Sequence, residues 1–173
     1  MPRPLIIAAM LLLPTACYSG PDPGQSGGGG GPAALRGAPA QSFDVPRTDG
    51  RTDSLARHRG QVVLMNLWAT WCPPCREEMP ALEQFARESR GRVTVIGVDQ
   101  GEAPSVAADY AKQRGVTFPI LVDEKQQYGR AYAAVGLPTT VIVGRDGHVV
   151  RGIDGPLTLA QMREATAPAL ARR

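Results

Sequence analysis

Two cysteines, Cys72 and Cys75, flank Pro73 and Pro74 in the stretch WATWCPPCREEMP at residues 68–80. The stretch joins a nearly continuous apolar run, residues 61–68, to a helical pattern over about 73–89. Taking Cys72 as the cap of that helix makes Pro73 and Pro74 its first two positions and Cys75 its third. The first helical N–H groups have no partner inside the helix, so prolines there sacrifice little, and their fixed φ stiffens the turn. A capping side chain accepts from the second or third N–H. Pro74 has no N–H, so the Cys72 sulfur is left with that of Cys75. The positive end of the helix dipole also favours a thiolate at this place. A chain built this way holds two sulfurs on one rigid turn at the mouth of a helix.

The surrounding pattern predicts an α/β fold. The run at 61–68 reads as a strand buried on both faces, as in a parallel sheet. Residues 92–98 and 139–143 read as further strands. Arg145-Asp146-Gly147 predicts a tight turn into a strand at 148–151, hence an antiparallel hairpin. Helical patterns at about 104–114, 126–134 and 158–167 fall between or after the strands, which implies a sheet covered by helices on both faces.

Ahead of this lies a different composition. Residues 1–17 hold Arg3, an apolar run from Leu5 to Leu13 and small residues before Cys17. Those are marks of an export signal, and the run is shorter than the roughly 20 residues that span a bilayer. LLLPTAC at 11–17 resembles a bacterial lipoprotein signal, in which the cysteine becomes the lipidated first residue. Pro14 stands where that pattern has leucine, with Leu13 one place further out. The alternatives are ordinary cleavage that leaves Cys17 a free thiol, or an uncleaved membrane-inserted signal. Residues 18–40 are rich in Gly, Pro, Ser and Ala, with GGGGG at 27–31, and read as a flexible tether. The folded domain is expected over 41–173, outside the cytoplasm.

Net charge is +3, mostly from arginines interleaved with Asp and Glu. A nucleic-acid binder would cluster its basic residues beside aromatics, so this charge reads as a solvated surface and no nucleic-acid partner is expected. A structural zinc site needs four ligands, and the chain adds to the pair only Cys17 in the leader and the distant His58 and His148. No metal or other cofactor is expected. A purely structural disulfide closing so small a loop would constrain the unfolded chain little. C-x-x-C opening a helix after a buried strand reads instead as a redox dithiol.

VVLMNLWATWCPPCREEMPALEQF, together with GLPTT at 136–140, resembles the membrane-anchored extracytoplasmic thioredoxin-like reductases of the TlpA/ResA type. The resemblance implies a thioredoxin-like fold: a central mixed sheet flanked by helices, an N-terminal extension, and a helix-strand insert at about 100–127. It implies dithiol–disulfide exchange, with Cys72 as the exposed attacking thiol and Cys75 as the resolving one. Pro138 matches the family's cis-proline beside the sulfurs, which leaves the Leu137 backbone free to pair with an extended substrate peptide. The alternative is an ordinary turn proline. Pro73 and Pro74 belong to the same substrate surface, and so does Trp71, whereas Trp68 is expected in the core. Pro80 should kink the helix. Asn66 stands where cytoplasmic thioredoxins carry a buried Asp, so that proton route is missing. Glu78, one helical turn after Cys75, is expected to handle the proton of Cys75 or to tune both sulfurs. Its alternative is a solvated helix charge, as Glu77 is expected to be.

The resemblance further implies client proteins with disulfides, apocytochrome c among them, and a membrane electron donor of thiol-reductase type. Three other activities compete. A peroxiredoxin-type peroxidase needs P-x-x-x-[T/S]-x-x-C, which fails here at Met65 and Ala69. A copper metallochaperone separates its cysteines by three residues and adds a histidine. A thiol oxidase uses the same residues at the opposite redox poise, which the sequence does not fix.

Overall fold

Five strands share one sheet in the order β5-β4-β3-β6-β7. The computed structural model describes residues 31–172. The leader with Cys17 and the first part of the tether, 18–30, lie outside the described residues. The strands are β3 (Val62–Trp68), β4 (Val93–Gln100), β5 (Ile120–Asp123), β6 (Thr139–Val143) and β7 (Val149–Asp154), and a two-residue pair, β1 (Val45–Pro46) and β2 (Thr52–Asp53), precedes them. β3 is central and every one of its residues is buried. It runs parallel to β4, which runs parallel to β5, and antiparallel to β6, which forms the expected hairpin with β7. The sheet is therefore mixed, and the fold is the thioredoxin-like one that the sequence implied.

The helices are α1 (Pro73–Glu88), α2 (Pro104–Arg114), α3 (Gln127–Ala131) and α4 (Leu159–Ala171). Alternate residues of β3 feed two cores, because side chains alternate across a strand. Val62, Leu64 and Trp68 join Met79, Leu82 and Phe85 of α1 and Met162 of α4. Val63, Met65 and Leu67 join Tyr128, Tyr132 and Val141 on the other face. Trp68 is fully buried, as expected of a core residue. α2 and β5 form the helix-strand insert. Pro80 lies inside α1, where it removes one N–H from the helical ladder. α4 runs past Pro168, where the sequence pattern stops, because that proline faces solvent while Met162, Ala165 and Ala169 continue the buried stripe. α3 is shorter than its pattern, ending at Ala131 with Tyr132 as its C-cap before Ala133 takes a φ of 49°. No helix among the described residues is long and apolar enough to cross a membrane.

The part of the tether at 32–40 departs from the sequence reading. Pro32–Leu35 forms a short 3₁₀ helix, and Pro32 is buried. The chain then pairs with β7: Gly37 N–H donates to Val149 O at 2.7 Å, and Val149 N–H donates to Ala38 O at 2.9 Å. The composition of this segment is that of a linker, yet β7 is an edge strand whose unpaired backbone groups it satisfies. Gly152 permits the approach, since a Cβ there would run into the Pro32 carbonyl. Gly152→Ala is expected to cost about 1–3 kcal/mol in urea unfolding. It should also lower hydrogen-exchange protection at Gly37 and Val149, and a neutral substitution would refute this packing.

Candidate active site

The N-terminus of α1 carries the chemistry. Cys72 caps the helix from an extended backbone, and its Sγ accepts from the Cys75 N–H at 3.3 Å. The two prolines leave it that one donor. Cys72 and Cys75 are joined as a disulfide, their Cα atoms 5.3 Å apart. The sequence reading placed Cys72 as the exposed thiol, and this oxidised form corrects it: Cys72 is 3% exposed and Cys75 1%. The bond to Cys75 and the Cys75 N–H draw the Cys72 sulfur back into the helix mouth. In the reduced form the helix dipole and that N–H favour a thiolate on Cys72, while burial opposes one. The expectation of an unusually acidic Cys72 thus rests on two effects of opposite sign.

Around the pair the surface is apolar and open. Trp71 is 64% exposed and Val135 76%. With Leu137, Ala134, Arg130 and Gln100 they line a recess of about 320 Å³ that Trp71, the residue before Cys72, and Leu137, the residue before the cis-proline, both border. Pro73 is exposed and Pro74 half-buried. The Leu137–Pro138 peptide is cis, and Pro138 is buried just before β6. The β3–β6 register pairs Leu67 with Thr139, so Pro138 falls one step further, opposite Trp68. The Pro138 carbonyl accepts from Gly155 N–H at 2.8 Å. Among the described residues the main chain of Leu137 has no hydrogen-bond partner.

Glu78 is not a solvated charge. It is 4% exposed, on the buried side of α1 with Cys75 and Met79. One oxygen accepts from Leu157 N–H at 2.9 Å, the other from Asn66 Nδ2 at 3.3 Å. Asn66 also donates to Thr140 Oγ1 at 3.0 Å. Burial pushes the Glu78 carboxyl up to about 7, against the pull of those two donors. Such a group is present in both its protonated and its ionised form at neutral pH, so it can take up or release a proton there, as acid–base work requires. Glu77, beside it, is exposed as expected.

Sequence reasoning missed the roles of four residues, Asn66, Thr70, Asp99 and Glu102. Asn66 was read only as a lost titrating group, and here it holds Glu78. Thr70, in the turn before Cys72, donates both its N–H and its Oγ–H to Glu102 at 2.6 Å. Asp99, fully buried, accepts the Glu102 N–H at 3.1 Å. Glu102 lies 32 residues along the chain from Thr70, and no periodicity or spacing links them.

Residues 36–151 match the model of the AhpC/TSA family. The thiol-disulfide oxidoreductase ResA of Geobacillus thermodenitrificans is 33% identical over 133 residues, which cover 76% of each chain. ResA of Bacillus subtilis is 29% identical over 163 residues, covering 94% of this chain and 91% of that protein. Among solved structures, a thioredoxin-family thiol:disulfide interchange protein from Chlorobium tepidum superposes with a TM-score of 0.71 at 30% identity, over 79% of this chain and 98% of that one. StoA from Bacillus subtilis gives 0.64 at 28% identity, over 75% and 98%.

Proposed function

Because the chain belongs to the AhpC/TSA family and to the ResA-type thiol-disulfide oxidoreductases, we propose that it works as a membrane-tethered, extracytoplasmic reductase of client disulfides. The observation that carries this reading is the Cys72–Cys75 pair at the mouth of α1 with the buried Glu78 behind it. The Cys72 thiolate attacks one sulfur of a client disulfide, and the other client sulfur leaves as a thiolate and takes a proton. Cys75 then loses its proton and attacks Cys72, which releases the reduced client and closes the Cys72–Cys75 disulfide. Glu78 accepts the Cys75 proton in this second step. The client strand lies along Leu137, with Trp71, Pro73, Pro74 and Pro138 framing the approach. Two electrons and two protons pass to the client in each cycle, so a membrane dithiol donor has to restore them, since the compartment outside the cytoplasm favours oxidation.

The finer parts of the proposal rest on the sequence. Lipidation at Cys17 supplies the membrane tether, and residues 18–30 part of the reach. The haem-binding cysteine pair of apocytochrome c is the client class that the TlpA/ResA resemblance favours. The test is a redox equilibrium with glutathione, followed by incubation of the reduced protein with an oxidised C-x-x-C-H peptide. A reductase should show a potential below roughly −250 mV and reduce the peptide. A potential near about −120 mV, with net oxidation of a dithiol peptide, would replace this reading with that of a thiol oxidase.

A further inference from the structure

The turn that delivers Cys72 has a polar support of its own on the side of the sheet covered by α1 and α2. Cys72 N–H donates to Ala69 O at 3.2 Å, which makes 69–72 a turn with Thr70 at its second place. Glu102, half-buried in the loop between β4 and α2, takes both donors of Thr70 at 2.6 Å each. Asp99, at the end of β4 and paired in register with Trp68, accepts the Glu102 N–H through Oδ1. Its Oδ2 is buried and has no hydrogen-bond partner among the described residues. An orphaned buried acceptor is costly, and a proton on Oδ2 removes the orphan by turning it into a donor.

We propose that Asp99 and Glu102 are positioning residues for the thiol exchange: a proton on Asp99 ties its carboxyl to Glu102, and Glu102 fixes the Thr70 turn that carries Cys72. The two carboxyl groups then hold one proton between them, as close like charges require. Consistent with this, burial and then the bond to Glu102 push Asp99 up to about 8. Glu102, although burial opposes it, is held below the usual carboxylate range by Asp99 and Thr70. The titratable groups acting on Asp99 are Glu102 and, from β5, Asp123. β3 presents the neutral Trp68, and α2 packs Tyr110 on that ring with Arg114 stacked 5.5 Å over Tyr110. Loss of the shared proton sets two carboxylates side by side and frees Glu102 from its anchor, so the Thr70 turn loosens.

The test reads the backbone amide of Thr70 by NMR in the oxidised protein, where the cysteines do not titrate, as pH is raised through the neutral and alkaline range. The wild-type shift should follow a step with a midpoint near 8. Asp99→Asn keeps the shape and a donor toward Glu102 but cannot titrate, and should erase that step, while Glu78→Gln should retain it. A step that survives in Asp99→Asn, or a Thr70 amide that does not move in the wild type, overturns the proposal. This reading needs no client, so it stands or fails apart from the reductase role. In the reduced protein at pH 7, Glu102→Ala should slow exchange with a small disulfide about tenfold, whereas Asp99→Asn keeps the wild-type rate. A wild-type rate in Glu102→Ala overturns the positioning role.

Discussion

Cys72→Ser is expected to abolish disulfide exchange, lowering turnover with a partner disulfide by on the order of a thousandfold or more. Cys75→Ser is expected to stop turnover equally, but for a different reason. Its Cys72 still attacks, and nothing displaces the partner that it captures. The mixed disulfide therefore accumulates, and in the cell clients should remain covalently attached to the Cys75→Ser protein. The asymmetry follows from the helix mouth. Cys72 is the residue that caps the N-terminus of α1, next to the exposed Trp71 and Pro73, while Cys75 lies one turn inward, although both sulfurs are buried in the same core cluster in the disulfide form. Equal trapping by the two serine variants would show that the order of attack is wrong.

The second large effect concerns Glu78. A carboxyl whose ordinary value is 4.5 and which stands at about 7 in the fold binds its proton more tightly folded than unfolded. Its contribution is therefore complete below pH 4.5 and is lost as pH rises through 7. The loss amounts to about 3 kcal/mol at 1.36 kcal/mol per unit, as an order of magnitude. Glu78→Gln cannot ionise, so its stability relative to wild type should improve by about that much between pH 4 and pH 8 in urea unfolding. A difference that does not vary with pH would mean that Glu78 titrates as a solvated group. The same variant separates stability from chemistry. If Glu78 receives the Cys75 proton, the pH profile of Cys75 alkylation in the reduced protein shifts in Glu78→Gln. An unchanged profile removes Glu78 from the mechanism.

The elements legible in the sequence were those whose signal is local. β3, β4 and β6 are largely apolar runs, and β7 announces itself by the hairpin turn at Arg145-Asp146-Gly147. The capping geometry of Cys72 follows from the positions of two prolines. β5 has four residues and came only from the family likeness, because a run that short carries no period of its own. The segment 32–40 has a linker's composition and owes its order to the open edge of β7, which its own residues do not reveal. The spacing from Cys75 picked out Glu78, but its burial depends on Leu157, 79 residues away. The exposure expected of Cys72 came from the family resemblance. Its burial goes with the bond to Cys75 and with its place in the core cluster that α1 shares with the sheet.

The central claim is that Cys72, although covered in the disulfide form, is the sulfur that reacts first once the pair is reduced. Limiting iodoacetamide on the reduced wild-type protein, followed by mass mapping of the first adduct, tests it directly. Labelling at Cys72 should lead that at Cys75 by about tenfold or more, as expected of the more accessible thiolate. First labelling at Cys75, equal labelling of the two, or no labelling until the protein unfolds would contradict it.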